Sequence, residues 1–470
     1  MENACINSLE KVVNNGFCVG CGACAFALNI PMALNSFGEY NPDFSIVDKD
    51  KGGLYPDVDI IKTCPFLAPE LNEDELSRPL FEKDCELDSR IGYYHSTYAG
   101  YAKESNYRSN GTSGGMGTWI GAELLKQGLI DAVIHVKPIG NRVDGDPYFK
   151  YAISDSLDDI MQGAKTRYHV VEISEVMSVV RERPGKYLFL GLPCLSKAVR
   201  RLQLIDGVIA DRIEYVASLV CGHLKSVHWT LSLAWGAGIH PTNLKAFQYR
   251  SKGKDIPARA YVFRATSNKI GQDVIQKNSA EVVGGKFNAG ALSLYACDYC
   301  DDVVGETADI TIGDAWIPRF DVDSGGTNLL IIRNSKLDKI LRTAEKEGRI
   351  WLSKITADEA GDSQSGGFRQ RREGLSYRLE KHKDTWVPIK RIKPGSFKIS
   401  STRRKIYDKR TSIALMSRDI FKKALDANDY SIYKNSMEAE FKNLRSLEIR
   451  SSLFRSIWGR VKRYLYAIKR

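Results

Sequence analysis

The stretch Cys18-Val-Gly-Cys21-Gly-Ala-Cys24 presents three thiols at two-residue spacing, and Cys64, forty residues later, stands directly before Pro65. A cubane iron–sulfur cluster needs four thiolates that converge on it from several sides. The glycines between the first three cysteines permit a tight loop in which neighbouring sulfurs reach adjacent irons, and a distant Cys-Pro supplies the fourth ligand. The stretch therefore predicts a 4Fe-4S cluster of the ferredoxin type.

The spacing also indicates how many clusters this first cysteine set holds. In bacterial ferredoxins the run continues with a further cysteine that serves a second cluster, whereas here Leu28 occupies that position. One cluster is therefore expected, in an N-terminal domain of residues 1–70. The alternative is a structural zinc site, because thiolates at this spacing also bind zinc, although zinc motifs usually present two separated pairs of cysteines.

A second cysteine set lies farther along the chain and consists of Cys194, Cys221, Cys297 and Cys300. Cys194 and Cys221 each follow a strand-like apolar run, so both are expected at the same edge of a parallel sheet. Four thiols there would hold a second cluster. The alternative is that Cys194 and Cys221 are small buried hydrophobic residues and that only the Cys297 and Cys300 pair is functional.

Composition narrows the class of protein. The 470-residue chain is 43% hydrophobic, which is enough for two or three globular domains. Its ten cysteines, with no secretory signal at the start, indicate metal binding and not disulfides, and Cys5 and Cys85 receive no role. No apolar run reaches membrane-spanning length, so a cytoplasmic protein is expected. The net charge of +11 comes with no nucleic-acid-binding signature, and no nucleic-acid partner is predicted.

Helical and strand-like segments alternate after the first cysteine set. Helices are predicted at 115–127, 173–181, 195–202 and 226–235, and strands at 131–136, 187–192, 213–220, within 244–265, at 308–312 and at 329–332. The alternation predicts an α/β fold with a mixed sheet and some α+β elements. We expect the flavin-binding body to comprise residues 90–172 and 173–340, followed by a charged, basic, partly helical extension over 341–470.

A glycine-rich turn, Asn110-Gly-Thr-Ser-Gly-Gly115, leads directly into the first of these helices. Backbone N–H groups exposed at such a turn can bind an anion at the positive end of a helix, so the turn could hold a cofactor phosphate. The alternative is that the glycines only permit a tight backbone turn. Farther on, Asp314 is either an acid/base or cofactor-binding group or simply a turn residue.

In their order and identity, these motifs resemble the beta-subunit family of coenzyme F420 hydrogenases and dehydrogenases, which are iron–sulfur flavoproteins, over residues 14–335. The motifs that carry the resemblance are the first cysteine set, Ser113-Gly-Gly115, Gly163-Ala-Lys165 before Tyr168, Leu192-Pro-Cys194, Val220-Cys221-Gly, Cys297-Asp-Tyr-Cys300 and Ala308-Asp-Ile-Thr-Ile-Gly-Asp314-Ala-Trp316. One departure is that two residues separate the lysine from the tyrosine, where the family pattern usually continues Lys-Tyr.

The resemblance implies FAD bound in the α/β body, with Ser113, Gly114, Gly115 and Lys165 as candidate contacts and the second cluster near the flavin. It implies an oxidoreductase that takes electrons from ferredoxin or another donor, such as a reduced coenzyme, and reduces an organic substrate. Similar bacterial proteins accompany polysaccharide biosynthesis, so a polysaccharide precursor or a nucleotide sugar is the expected substrate class. Two alternatives stay open: an electron-transfer subunit of a larger complex without its own substrate, and a membrane-associated scaffold with structural clusters.

The C-terminal segment 453–470 has an amphipathic pattern. Projected as a helix, it places its aromatic and aliphatic residues on one arc and its arginines and lysines on the other, and no acidic residue follows Arg450. This pattern is typical of a helix that lies on an anionic membrane surface, so peripheral attachment at the inner face of a membrane is expected. The alternative is that the apolar arc packs on the protein's own body.

Overall fold

The computed structural model describes residues 2–47, 55, 59–140, 142, 146–252, 261–269 and 274–468, with side chains described from residue 5 to residue 451. The strands are β1 (Met32–Leu34), β2 (Tyr40–Pro42), β3 (Glu86–Asp88), β4 (Gly92–Tyr94), β5 (Ser96–Ala102), β6 (Ala132–Pro138), β7 (Phe149–Ser154), β8 (Tyr187–Gly191), β9 (Ile213–Leu219), β10 (Leu244–Gln248), β11 (Val262–Ser267), β12 (Val274–Asn278), β13 (Ile310–Asp314), β14 (Asn328–Ile332) and β15 (Ile350–Lys354).

The helices surround these strands, and a short π-helical turn, Arg369–Glu373, joins two of them. They are α1 (Glu2–Asn14), α2 (Ala23–Leu28), α3 (Glu73–Phe81), α4 (Tyr107–Asn110), α5 (Met116–Lys126), α6 (Leu157–Gln162), α7 (Ser174–Glu182), α8 (Pro193–Ile205), α9 (Gly207–Arg212), α10 (Val227–Gly236), α11 (Ser335–Lys346), α12 (Ala357–Ser363), α13 (Ser365–Phe368), α14 (Gly374–Lys381), α15 (Ser401–Asp426) and α16 (Tyr430–Ile468).

An eight-stranded mixed sheet forms the centre of the molecule, with strand order β15-β5-β14-β13-β9-β8-β6-β7. The strands β6, β8, β9 and β13 run parallel to one another, whereas β7 and β14 are antiparallel to their neighbours. The predicted α/β fold with a mixed sheet is therefore confirmed. The parallel strands end at one edge of the sheet, which is where ligands bind in open α/β sheets.

Helices cover both faces of the large sheet, because its central strands are apolar on both sides. On one face α5 and α11 pack on the sheet through buried residues such as Trp119 and Leu341. On the other face α7 and α8 contribute to a larger core that also includes Phe17 and Phe26 of the N-terminal segment. The N-terminal segment is thus packed directly on the body, and the backbone N–H of Ile173 donates to the carbonyl oxygen of Cys21 at 2.9 Å.

The predicted helices and strands are confirmed to within a few residues, but strand β5, which lies second from one edge of the large sheet, has no counterpart among them. Its sequence, Ser-Thr-Tyr-Ala-Gly-Tyr-Ala, has no continuous apolar run, although six of its seven residues are buried. Gly100 explains part of this composition, because a Cβ there would lie 2.8 Å from the carbonyl oxygen of Trp351 on the neighbouring strand. Close strand packing, which the one-dimensional pattern does not show, selects the small residues here.

Two long helices, α15 and α16, occupy the C-terminal region and pack beside α10 and the loop that carries the second cysteine set. The backbone of α16 continues to Ile468. The side chains of the amphipathic segment 453–470 lie outside the described residues, so membrane attachment stays a prediction. Within the described part of the chain, none of the helices is both long enough and apolar enough to cross a membrane.

A buried histidine next to the sheet gives the first testable prediction. His169 is enclosed by Phe149, Thr230 and Tyr249, and burial lowers its pKa to about 3. In the unfolded chain the pKa of this histidine is near 6.5, so the unfolded state takes up a proton at a higher pH than the folded state does. The contribution of His169 to the free energy of unfolding is therefore complete above that pH and declines as the pH falls toward 3. Because of this histidine, we expect the free energy of unfolding to fall by about 2 kcal/mol when the pH is lowered from 7 to 5.

The measurement is urea unfolding of the wild type and of His169→Gln at pH 7 and pH 5. The variant starts from a lower stability, because it alters a buried hydrogen-bonded group, but its stability depends less on pH. An identical pH dependence in both proteins would contradict the prediction.

Candidate functional site

The first cysteine set comes together where the N-terminal end of α2 faces the loop before Pro65. The thiols of Cys21 and Cys64 are buried, and those of Cys18 and Cys24 are half-buried. Burial raises the pKa of all four, to about 12 for Cys18, and the other thiols of the set raise those of Cys18, Cys21 and Cys24 further. Thiolates that repel one another in a buried place are stabilised when a shared cationic group neutralises them.

Two glycines allow the loop of the first cysteine set to be this tight. Gly20 and Gly22 both have left-handed backbones, with φ of +67° and +83°. A Cβ at Gly20 would lie 2.8 Å from the carbonyl oxygen of Tyr40, and one at Gly22 would lie 2.5 Å from a carboxylate oxygen of Glu172. The backbone N–H of Gly20 also donates to the sulfur of Cys18 at 3.3 Å. The loop therefore has the tight geometry that its sequence predicts.

Arg201, which no sequence pattern marks, holds the loop that carries Cys64. Its buried guanidinium, on α8, donates to five carbonyl oxygens between residues 62 and 71, including that of Cys64 and, at 2.6 Å, that of Leu71. The same helix begins beside Cys194 of the second set. A single helix therefore positions cysteines of both sets.

The second cysteine set lies at the carboxyl edge of the parallel strands. Cys194 follows β8 and Cys221 follows β9, and these two strands are parallel neighbours, so their predicted location at one edge is confirmed. Cys297 and Cys300 reach the same place from the loop between β12 and β13. All four thiols line one small cavity, which Val19 of the first cysteine loop also lines.

The charges of the two sets act on each other. Burial raises the pKa of Cys194 well above its usual value, Cys221, Cys300 and Cys297 raise it further, and Cys21 of the first set adds to this rise. Burial likewise raises the pKa of Cys221 to about 11. Val19, which lies between Cys18 and Cys21, also lines the cavity of the second set, so the two cysteine sets are next to each other.

Arg371 contacts the second set from the C-terminal part of the chain. Its buried Nη2 lies 3.5 Å from the sulfur of Cys221 and donates to the carbonyl oxygen of Gly222 at 2.7 Å. Burial alone would lower its pKa, but the four thiols of the set together raise it above the usual value. Arg371 lies on a π-helical turn, a feature often found at functional sites. In the sequence it is one of many charged residues in the predicted C-terminal extension, so no pattern distinguishes it from its neighbours.

The donor set fits iron–sulfur chemistry. Among the described residues, no group of three or more histidine, cysteine, aspartate or glutamate side chains is arranged to hold a single metal ion. The converging groups are instead two sets of four thiols, which are the ligands of cubane clusters, and a cubane is larger than one ion. A buried guanidinium beside the sulfurs suits the negative charge of a thiolate-ligated cluster.

The glycine-rich turn lines a cavity of about 150 Å³ at the ends of β8, β9 and β13. Ser113, Gly115 and Lys165 are on its wall, and α5 begins directly after Gly115, which has a φ of +80°. Gly114 stands where a Cβ would lie 2.7 Å from the carbonyl oxygen of Gly100. Lys165 has a left-handed backbone, with φ of +87°, which residues with a side chain seldom adopt. The four predicted flavin contacts therefore lie at one place.

Lys252 supports the glycine-rich turn from the side. Its Nζ donates to the carbonyl oxygens of Arg108, Ser113 and Gly325 at 2.6 to 2.7 Å. Burial lowers its pKa to about 8, and neighbouring cations contribute. After Arg201 and Arg371, Lys252 is thus a third residue that positions the site although no sequence motif marks it.

A larger cavity, of about 450 Å³, lies between this turn and the second cysteine set. Cys221 and Cys297 are on its wall, together with residues of the loop around Tyr168 and of α13. The larger cavity and the cavity at the glycine-rich turn share five of their lining residues, which are Thr166, Tyr168, Leu219, Val220 and Asp314. The space beside the second set therefore adjoins the space at the glycine-rich turn.

Asp314 stands between the two cavities as half of an ion pair. Its carboxylate accepts a hydrogen bond of 2.7 Å from Nη1 of the buried Arg250. Burial alone would lower the pKa of Arg250, but Asp314 leads the neighbours that raise it above its usual value. Asp314 is therefore more than a turn residue, although these contacts do not identify it as an acid or a base.

Two adjoining thiol sets therefore lie beside a cavity at the carboxyl edge of the parallel strands of an α/β sheet. The family model for coenzyme F420 hydrogenase/dehydrogenase, beta subunit N-term, matches residues 97–178, and the companion model for the C terminus of the same beta subunit matches residues 185–358. Together they cover more than half of the chain. The chain belongs to the coenzyme F420 hydrogenase/dehydrogenase beta-subunit family.

A curated relative is the coenzyme F420-dependent sulfite reductase of Methanocaldococcus jannaschii, which is 23% identical over 348 residues, covering 72% of this chain and 48% of the relative. The chain thus spans about half the length of that relative. Among solved structures, a chain of the F420-reducing [NiFe] hydrogenase complex from Methanosarcina barkeri aligns with a TM-score of 0.48 and 18% identity, covering 66% of this chain and 100% of that chain.

Proposed function

We propose that this chain is an iron–sulfur flavoprotein in which two 4Fe-4S clusters pass electrons to FAD. The observation that supports this proposal most strongly is that the two cysteine sets, the larger cavity and the glycine-rich turn lie next to one another in a continuous series. The first cysteine set adjoins the second, the second opens on the larger cavity, and that cavity adjoins the glycine-rich turn. Bound clusters would carry single electrons, and a bound flavin would collect two and deliver them as a hydride equivalent.

In this proposal each part of the site has a separate task. The first cluster is held by Cys18, Cys21, Cys24 and Cys64, and the second by Cys194, Cys221, Cys297 and Cys300. Ser113, Gly114 and Gly115, with the positive end of α5, hold a flavin phosphate, and Lys165 contacts the same cofactor. The larger cavity, beside Cys221 and Cys297, would receive the ring of the flavin. We assign no residue to acid/base chemistry.

We further propose that the electrons come from ferredoxin or a reduced coenzyme and go to an organic substrate, with a polysaccharide precursor as the substrate class. The sulfite reductase relative is, by its name, an oxidoreductase that depends on coenzyme F420. A second candidate is an electron-transfer subunit without its own substrate. It is favoured by the fact that the chain corresponds to only about half of that relative.

Anaerobic purification followed by iron, sulfide and flavin analysis tests the proposal. We expect about eight irons and eight sulfides per chain, and one flavin. Cys64→Ser and Cys297→Ser are each expected to lose about half of the iron, whereas Cys85→Ser, outside both sets, retains it. A colourless preparation without iron overturns the proposal. Reduction of an organic substrate by the purified chain alone excludes the second candidate.

Gly115→Ala is expected to release the flavin while iron is retained. A Cβ at this left-handed position would lie 2.4 Å from the carbonyl oxygen of Tyr107, so the turn must open. Gly128→Ala is the matched control, because Gly128 is also left-handed, with φ of +66°, but faces open space at the other end of α5. We expect at least a tenfold lower flavin affinity for Gly115→Ala than for the control. Equal flavin content in the two variants contradicts the assignment.

A further inference from the structure

A fourth cavity, of about 590 Å³, opens on the other side of Lys165 from the glycine-rich turn. Its walls come from the end of α6, the loop that follows, β10 and β11. It shares only Lys165 with the cavity at the turn and only Arg167 with the larger cavity. We call it the cationic cavity, because Lys165, Arg167 and Arg264 line it.

The charge of the cationic cavity is unbalanced. Among the described lining residues, Asp158 is the single carboxylate that faces the three cations. Burial lowers the pKa of Lys165, and the charges of Arg167 and Arg264 lower it further, which places the three cations close together. Burial and the charges of Lys137 and Arg167 also lower the pKa of the nearby His135 to about 4, against the opposing charge of Asp159. The described lining of the cationic cavity therefore carries more positive than negative charge.

Arg167 has hydrogen-bonding capacity that the protein does not use. Its Nη2 donates to the carbonyl oxygen of Ala164 at 3.0 Å, but its Nε and Nη1 are buried and have no hydrogen-bond partner in the described part of the chain. Its guanidinium lies 5.2 Å from the ring of Phe149, which holds it in place. A buried donor without a partner is costly, and a bound anion would remove that cost.

The rest of the lining suits an organic ligand with a phosphorylated end. Met161 and Phe247 provide apolar surface, and Asn110, Gln162 and Gln248 provide amide groups. Three cations match the charge of a diphosphate better than that of a single carboxylate, and the planar guanidinium binds pairs of phosphate oxygens. In the proposed function the glycine-rich turn holds the flavin phosphate, which leaves the cationic cavity to a second molecule.

We propose that the cationic cavity binds the diphosphate end of a phosphorylated organic molecule separate from the flavin, through Lys165, Arg167 and Arg264. The role of this molecule as the substrate or coenzyme of the redox reaction rests on the proposed function, whereas its binding does not. Arg264 is exposed on β11 and contributes charge, while the buried Arg167 contributes oriented donors.

The test measures binding of inorganic pyrophosphate to the anaerobically purified full chain by calorimetry at low ionic strength. We expect the wild type to bind and Arg264→Gln and Arg167→Gln each to bind at least tenfold more weakly. Lys245→Gln, an exposed cation on the adjacent strand β10 that does not line the cavity, is expected to match the wild type. Because Arg264 is exposed, its variant keeps the fold even if the buried Arg167 cannot be replaced.

Flavin absorbance of the same preparations separates the two possible sources of a phosphate. Retained flavin with weakened pyrophosphate binding in Arg264→Gln supports a separate ligand, whereas lost flavin assigns the cations to the cofactor and overturns the proposal. It is also overturned if the wild type does not bind pyrophosphate or if the arginine variants bind as the wild type does. Pyrophosphate binding by a chain without iron or flavin would overturn the proposed function and leave this inference intact.

Discussion

Replacing Arg371 by glutamine is expected to lower the midpoint potential of the proposed second cluster by on the order of 100 mV. A buried positive charge with an N–H near a cysteine sulfur favours the more negative, reduced cluster, so its removal makes reduction harder. A hydrogen bond to a charged group contributes about 1.5–3 kcal/mol, and about 1.4 kcal/mol corresponds to 59 mV for one electron. The measurement is an anaerobic redox titration followed by electron paramagnetic resonance.

Arg371→Lys is the matched variant, because it keeps the charge and loses the planar donor group. We expect it to give a smaller shift than the glutamine, since the lysine cannot reproduce both the contact with Cys221 and the bond to Gly222. The iron content reports whether either variant loses the cluster. A change in the potential of the first cluster as large as that of the second, or no change in either, would refute the role assigned to Arg371.

Glu73→Gln is expected to destabilise the folded chain by about 3–5 kcal/mol. The buried carboxylate of Glu73 lies 3.0 Å from Nζ of the buried Lys197, and Arg391 lies 4.0 Å away. Burial would raise the pKa of Glu73, but the charges of Lys197, Arg391 and Lys390 hold it well below its usual value. Removing the carboxylate leaves a buried lysine without its partner, which costs more than the pair itself contributes.

Urea unfolding of anaerobic samples at neutral pH measures this loss. Glu75→Gln, on the same helix, is the control, because its ion pair with Arg78 is exposed to solvent and is expected to contribute far less to stability. Combining Glu73→Gln with Lys197→Met should restore part of the stability, since the second change removes the unpaired cation. A double variant as unstable as the sum of the single variants would show that the two groups do not act as a pair.

Local patterns were sufficient to predict the tight cysteine loop, the parallel strands β8 and β9 and the glycine-rich turn. Each depends on residues close together in the chain, where spacing and periodicity carry the information. For Cys194 and Cys221, the additional rule that neighbouring parallel strands end at the same edge of a sheet was enough to predict that the two residues lie at one edge.

Residues that act across long sequence separations could not be predicted in the same way. Arg201 holds a loop more than 130 residues away, and Arg371 reaches a cysteine 150 residues away. A single arginine in a charged region gives no periodic signal, and its role depends on which surfaces meet. The small residues of β5 were likewise selected by the neighbouring strand, as Gly100 and Trp351 show.

The helix α8 has a consequence for how the holoprotein matures. One end of the helix carries Cys194, and two turns later Arg201 ties down the segment that bears Cys64. If both cysteine sets hold clusters as proposed, inserting inorganic sulfide and iron at one end of the helix should preorganise the other end. Assembly of the inorganic cores should then be cooperative, so that chains filled at a single centre are scarce compared with empty and complete ones.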